Sequence, residues 1–362
     1  MPGAHLGHAI IGCGRVAPNH ADGISALKGA ATLLWACDRD LAKAQAFAAA
    51  FDIPRATRQV QDVLSDPEVA SVSIATDHAQ HAELVEAAIL AGKHVLVEKP
   101  LALDPSAARG LASLAETRGL VLSVVSQHLY DPLVNAVQQW KNDGLLGRLL
   151  SAQISLQARR EPDYYSDSYW RGTLAGEGGS ALINQGYHCL DVARLLCGDL
   201  SVRAATAHSE VLGDVIETED TLSALLLAGA SPVSFHVTVA STTLWSTRIE
   251  LVGDRGSVVF DLDHPATLHH AHGNRELEEQ ARALNLKTEK TPGVDYYGTS
   301  HRRQIADFIS AASTGRPLMI PPQWGVAAVA LIHEIYEAAL RDSVTVSEPR
   351  SDLRREHANH RV

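Results

Sequence analysis

The chain of 362 residues is poor in several things at once. It holds four cysteines, two methionines and five phenylalanines. Cys13, Cys37, Cys189 and Cys197 form no CxxC pair and sit in apolar segments. That argues against a disulfide framework or a cysteine-based zinc site, and for reduced thiols in a cytoplasmic protein. No stretch approaches the ~18–20 unbroken apolar residues of a spanning helix. Met1-Pro2-Gly3-Ala4-His5 has no basic segment leading into an apolar leader, so no signal peptide is expected. Positive charge is also short: 31 Lys+Arg against 42 Asp+Glu leave a net charge of -11. Such a surface repels a nucleic-acid backbone and an anionic membrane, and neither is expected as a partner. Arg350, Arg354, Arg355 and Arg361 alternate with Glu348, Asp352 and Glu356, so residues 346–362 read as a frayed, mixed-charge tail. No internal repeat or low-complexity segment is present.

With 46% hydrophobic and 20% charged residues, the chain has material for two cored domains. The first half alternates short apolar runs with helical stretches. Strands are expected at His8–Ile11, Thr32–Cys37, Val69–Ala75, His94–Val97 and Leu120–Val125. Helices are expected from Ala17 to Leu27, Leu41–Phe51, His81–Leu90 and Ser106–Arg118. This is the pattern of a doubly wound parallel sheet covered on both faces. The second half shows period-2 alternation instead: Val233, Phe235, Val237 and Val239 against Ser234, His236 and Thr238, with Ile154 and Leu156 similar. Leu222–Leu227, Arg248–Val252 and Ser257–Leu262 add strands to a largely antiparallel open sheet with one face on helices. The fold class is therefore α/β plus α+β. A Rossmann domain is expected over 1–126, a substrate-binding and oligomerisation domain over 127–345, and the tail beyond. The late helices His301–Ala312 and Gly325–Leu340 are free to pack back on the first domain.

Gly12-x-Gly14-x-x-Ala17 follows a strand and opens a helix. Gly12 permits the tight turn, Gly14 lets the backbone approach a pyrophosphate, and Ala17 allows close helix–strand packing. Arg15 and Val16 complete the loop at the helix N-terminus, where free N–H groups attract phosphate. Asp38 ends the second strand, where a carboxylate accepts from a ribose 2′-OH and disfavours a 2′-phosphate. The expected cofactor is NAD, with NADP less favoured; Arg39 keeps NADP open, since a guanidinium pairs with a phosphate.

Two further segments carry polar chemistry. Lys99 stands just past a parallel strand, where open α/β sheets place ligands, with Glu98 as its bland ion-pair partner. Ser180–Leu196 reads as a helix closed by Gly198, and Asn184, His188 and Asp191 fall on one face at i, i+4 and i+7. A polar stripe on a core-like helix must find partners, and a substrate pocket supplies them.

Ala91–Pro100, ending in Glu98-Lys99-Pro100, resembles the signature of the glucose–fructose oxidoreductase/inositol dehydrogenase/MocA family. Gly178-Gly179-Ser180 through Asn184-Gln185-Gly186-Tyr187-His188 to Asp191 is similar to its second motif, and the likeness covers roughly residues 8–342. The resemblance implies a nicotinamide-dependent dehydrogenase of CH–OH groups. It places Thr76, His81, Glu98 and Lys99 beside the cofactor, and Lys99, Asn184 and His188 at the catalytic centre. Asp77 stands where the family commonly has proline, and Asn184 where it often has aspartate. Ordinary pKa values favour His188 as the general base, with Lys99 a cation that stabilises alkoxide character, although burial lets Lys99 share the role. Asn184 orients substrate or Lys99.

Arg159-Arg160-Glu161-Pro162-Asp163-Tyr164-Tyr165 and Tyr169-Trp170-Arg171-Gly172-Thr173 mix aromatic and charged groups, suiting a polyhydroxylated small molecule. Tyr165, Trp170 and Arg171 are the substrate-side candidates. Arg171 or Arg159 suits a phosphate or carboxylate, Glu161, Asp163 and Asp167 leave room for an aminosugar, and Tyr296 and Tyr297 are weaker candidates. His264, His269, His270 and His272 lie in a loop-like stretch without matched ligands, so no metal is expected. The substrate is expected to be a sugar, cyclitol, aminosugar or nucleotide sugar. A sensing protein that kept the fold without turnover is the alternative. An open sheet face also predicts a homodimer or homotetramer.

Overall fold

In the computed structural model, residues 5–263, 266–286 and 299–345 are described. Tyr296, Tyr297, His264 and the 346–362 tail lie outside them.

The first sheet is built from β1 (Leu6–Ile11), β2 (Ala31–Cys37), β3 (Arg55–Thr57), β4 (Ser71–Ile74), β5 (His94–Val97) and β6 (Leu122–Val124). All pairs are parallel, in the order β3-β2-β1-β4-β5-β6. The connecting helices are α1 (Ala17–Ser25), α2 (Leu41–Ala50), α3 (Val60–Ser65), α4 (His81–Leu90) and α5 (Pro105–Thr117). Local chemistry fixes their starts. The Asp40 carboxylate accepts the Ala42 and Lys43 N–H groups, and Asp104 accepts that of Ala107, each satisfying donors the helix leaves free.

The second half continues through α6 (Pro132–Asn142), β7 (Leu149–Arg159), α7 (Pro162–Ser166), α8 (Tyr187–Cys197), β8 (Leu200–His208), β9 (Thr221–Ala228), β10 (Ser231–Thr238), β11 (Ala240–Gly253), β12 (Ser257–Phe260), β13 (Leu268–His272) and α9 (Arg275–Ala283). The seven strands run β13-β12-β11-β7-β10-β9-β8, antiparallel except for the parallel pair β10–β7. Ala152, Ile154, Leu156 and Ala158 of β7 and Val233, Phe235 and Val237 of β10 face Val137 and Trp140 of α6 and Leu190 and Leu196 of α8. The opposite face carries Gln153, Gln157 and Ser234, all exposed.

α10 (Ser300–Thr314) and α11 (Pro322–Thr345) return to the first domain. Ile305, Phe308 and Ile309 share a core with Ile10, Ala21 and Ile24. Gly23 makes this possible, because a Cβ there would stand 2.4 Å from Ile305 Cδ1. Arg302 adds a hydrogen bond of 2.8 Å to Asp22.

The structure corrects several expectations. β3 and α3 are too short to show periodicity, and β8 alternates too weakly to be read. His269, His270 and His272 lie on the edge strand β13, not in a loop. The helix expected from Ser180 begins as a π-helical turn, Ala181–Gly186, before α8 takes over. Gly186 there packs under Phe235, 3.4 Å from where a Cβ would sit.

Burial holds His8 down at about 3, with His20 adding to the effect. It also lowers His78, His81, His188 and His301. An unfolded chain takes up protons on these five groups near ~6.5 and the native one only at lower pH, so they cost stability as pH falls through that value. Burial raises Glu177, Asp191, Glu219 and Asp261, which oppose the trend but are fewer. Thermal melts should therefore show Tm falling by at least ~5 °C from pH 7 to pH 5; an unchanged Tm would mean the native histidines charge freely.

Candidate active site

The strand order reverses between β1 and β4, and the cleft opens at their C-terminal ends, as expected for such a sheet. β1 runs into Gly12, at φ 94°, where a Cβ would lie 2.5 Å from the Ala75 carbonyl oxygen. A Cβ at Gly14 would meet nothing within 4 Å, because that residue faces the open cleft. No side chain caps the α1 N-terminus, whose Ala17 and Asn19 N–H groups bond the Gly14 and Val16 carbonyls at 3.3 and 3.0 Å, so the helix offers a ligand its dipole and the loop before it. At the end of β2, Asp38 is oriented by its own backbone surroundings: it accepts from the Cys13 and Asp40 N–H groups, each at 2.9 Å. A bare glycine cradle, an uncapped helix end and a pinned carboxylate fit the pyrophosphate and ribose of a dinucleotide.

Lys99 enters the same cleft from the end of β5, followed by a cis peptide to Pro100. Its Nζ donates to the Asn184 backbone oxygen at 2.7 Å and to Asn184 Oδ1 at 2.9 Å. The Asn184 amide NH₂ in turn donates to Glu177. Glu177 is fully buried and also accepts from the Gly172 N–H at 2.6 Å and from Ser180 Oγ. Glu98 does not pair with Lys99 as its ion-pair partner. Its Oε1 accepts from His20 Nε2 at 2.9 Å and His301 Nε2 at 3.2 Å. Burial pushes the Glu98 carboxyl up, but those two histidine bonds outweigh it and hold it well below the usual range.

His188 Nε2 lies 3.2 Å from the Gln127 side-chain nitrogen, beside the His128 ring. Desolvation, then the positive fields of His128 and Lys99, keep its pKa well below the ordinary histidine value. Desolvation also lowers Lys99, to about 8, with Glu98 and Glu177 pulling the other way. Both groups are thus shifted the same way, Lys99 toward neutrality and His188 away from it.

A cavity of about 430 Å³ is lined together by Gly12, Gly14, Arg15, Val16, Asp38, Arg39, Thr76, Glu98, Lys99, Trp170, Arg171, Asn184 and His188. Three sequence candidates do not line it. Ala17 is buried beneath the loop. His81 is buried, with Nδ1 2.7 Å from the Pro100 oxygen, and His78 and Gln80 line the cleft instead. Tyr165 turns into the core, while its neighbour Tyr164 lines the cavity. Likewise Arg159 pairs outward with Glu161, and Arg160 faces in. Asp191 leaves the stripe: it bonds Ser126 Oγ at 2.7 Å, Trp324 Nε1 at 2.9 Å and Arg194 at 3.2 Å, so its partners are structural. Period-2 alternation continued from Ala152 to Ala158 points to Arg160 over Arg159; no comparable signal picks Tyr164, Gln127, His128 or Trp245. Arg39 stacks on Tyr169, 3.7 Å from its ring centre, and Tyr169 bonds Asp77, so the second domain closes over the ribose end of the cleft.

Among the described residues, one group of three could hold a metal: His20, Glu98 and His301. Their facing atoms are already joined by hydrogen bonds, and the cluster ties α1, the end of β5 and α10 together. His269 pairs with Asp261 at 3.0 Å, and His270 stacks on His272.

Residues 6–126 match the family model described as an oxidoreductase family with an NAD-binding Rossmann fold, and residues 134–259 match the GFO/IDH/MocA C-terminal domain. The chain belongs to this family. It is 31% identical over 272 residues to D-apiose dehydrogenase of Paraburkholderia graminis, covering 74% of this chain and 70% of that one. Inositol 2-dehydrogenase of Rhizobium meliloti is 25% identical, over 89% of this chain and 93% of its own. The crystal structure of GenD2 from gentamicin A biosynthesis, in complex with NAD, superposes with a TM-score of 0.77 at 26% identity, covering 93% and 95%. As a member of the Gfo/Idh/MocA family the protein is an NAD(P)-dependent oxidoreductase. Among its described residues no helix is long and apolar enough to cross a membrane.

The two loop glycines should separate by stability. Gly12→Ala meets both carbonyl and a left-handed φ, and should lower unfolding free energy by roughly 1–3 kcal/mol. Gly14→Ala should stay within about 0.5 kcal/mol of the parent in the same denaturant titration.

Proposed function

We propose that the protein oxidises a secondary hydroxyl of a sugar or cyclitol, with NAD as the hydride acceptor and Lys99, Asn184 and His188 as the reacting centre. The observation that carries this reading is that Lys99, from the first domain, and His188, from the second, line one cavity with the glycine loop. Gly12, Gly14, Arg15 and Val16 would hold the pyrophosphate, and Asp38 the adenosine ribose. Bound there, NAD supplies the electron sink for the hydride. The carboxylate at Asp38 favours NAD over NADP.

Expecting His188 as base rested on unperturbed pKa values, and burial removes that premise. Two N–H groups of Lys99 are committed to Asn184 O and Oδ1. A neutral amine so held keeps its lone pair for the cavity, and an ammonium keeps one N–H for the same place. In this reading the carbinol O–H gives its proton to Lys99 Nζ as its C–H leaves with the electron pair and the C=O forms. Asn184 aims the amine, with Glu177 fixing the amide. His188, neutral at physiological pH, hydrogen-bonds the reacting oxygen. Tyr164, Trp170 and Arg171 face the rest of the substrate, so residues 127–345 serve as the substrate domain. Four free cysteines support a reducing, cytoplasmic setting. The open outer sheet face, with Leu225 among its exposed residues, supports self-association as a dimer or tetramer. Light scattering that found only monomer at micromolar concentration would remove that part.

Monitoring nicotinamide absorbance across cyclitols, free sugars, aminosugars and nucleotide sugars tests the activity. Oxidation should speed up as pH rises through about 8, where Lys99 loses its proton. Lys99→Met should lower kcat by roughly 10²–10⁴ and abolish that limb. A limb well below neutrality that survives in Lys99→Arg would return the base role to His188.

A further inference from the structure

We propose that Arg160 and Arg171 form a subsite for an anionic substituent of the substrate, a carboxylate or a phosphate. This rests on the reading that the cleft oxidises a polyhydroxylated molecule, and it narrows which one.

Among the described residues neither guanidinium has a counter-ion. Arg160 donates to Gln185 Oε1 at 2.8 Å and to the Arg159 carbonyl oxygen at 3.4 Å. Arg171 donates to the Tyr164 carbonyl oxygen at 3.3 Å. All three acceptors are neutral, and the Nε–H of each arginine is enclosed with no acceptor. Among the described residues no carboxylate lies within ion-pair reach of either. The contrast with Arg159 is direct, since that side chain faces solvent and is paired with Glu161.

The two charges are also held close together. Both stand over the Tyr164 ring, at 5.1 Å for Arg160 and 4.4 Å for Arg171, and Arg160 lies 5.4 Å from the Trp245 ring centre. Aromatic faces moderate a cation but do not neutralise it. Arg171 is near enough to Lys99 to lower that amine further. Three cationic side chains therefore converge on one cavity with only neutral acceptors on their nitrogens. Holding half-buried charge uncompensated is costly, and a bound anion with charge-assisted hydrogen bonds offsets that cost.

There is room for the substituent. Behind His188 lies a second chamber of about 390 Å³, sharing Arg160, Gln185, His188 and Trp245 with the main cavity. Its own carboxylate, Asp263, accepts from the Thr247 N–H at 3.1 Å and from Thr247 Oγ1 at 2.8 Å, which occupies it away from Arg160. A molecule whose oxidised carbon sits between Lys99 and His188 can thus extend an acidic group to Arg160.

The test is calorimetric titration of the NADH-loaded protein with D-glucose, D-glucuronate and D-glucose 6-phosphate, alongside turnover of each with NAD. At least one anion should bind about tenfold or more tightly than glucose, the margin of a charge-assisted hydrogen bond. Which anion wins separates a uronate from a sugar phosphate as the source. Arg160→Gln should erase the margin, and Arg171→Gln should reduce it. Glucose binding as well as both anions, or a margin that survives Arg160→Gln, overturns the subsite. If Arg160→Gln does not fold, Arg160→Lys and the comparison on the parent protein decide. A binding margin without oxidation of any of the three sugars would count against the proposed substrate and leave the subsite standing. Oxidation of glucose without a margin would do the reverse.

Discussion

The structure turns on one hydrogen-bonded cation at the seam between two domains. Lys99 is delivered by the end of a parallel strand, yet both acceptors for its Nζ belong to Asn184, on the π-helical turn before α8. A lysine on a surface loop samples many rotamers in water; here two short bonds fix its amine and desolvation lowers its proton affinity. Position and acidity have the same cause, since the second domain that supplies Asn184 also excludes water from the cleft.

Two buried carboxylates stand behind that arrangement, one on each side. Glu177 fixes the Asn184 amide so that its oxygen, not its nitrogen, meets the amine. Glu98, next in sequence to Lys99, is held by His20 and His301. Because His301 lies on α10, a helix from the end of the chain braces the strand that carries Lys99. Core packing of Ile305, Phe308 and Ile309 against α1 makes that brace rigid. Removing the returning helix would therefore disturb the cleft without touching any residue that lines it.

Much of this is legible in the sequence because its signals are local. Glycine spacing between a strand and a helix marks the phosphate loop, since a left-handed φ at Gly12 and an open face at Gly14 are properties of single positions. Lys99 and His188 are each marked by the motif around them. Glu177 escapes notice because a carboxylate among glycines looks like loop surface until the chain folds it to zero exposure. The choice of Tyr164 over Tyr165 depends on the phase of a five-residue helix, α7, too short for any periodicity to set.

The sequence by itself determined the parallel and antiparallel character of the two sheets, the dinucleotide loop and the identities of the polar groups, since strand alternation, turn glycines and motif spacing are written along the chain. Tertiary structure alone decided which of those groups meet. It turned His81, Tyr165 and Asp191 inward, brought Arg160, His78 and Trp245 to the cleft, and lowered the proton affinities of Lys99 and His188. The physical reason is that desolvation and charge–charge fields depend on neighbours distant in the chain, which no local pattern records.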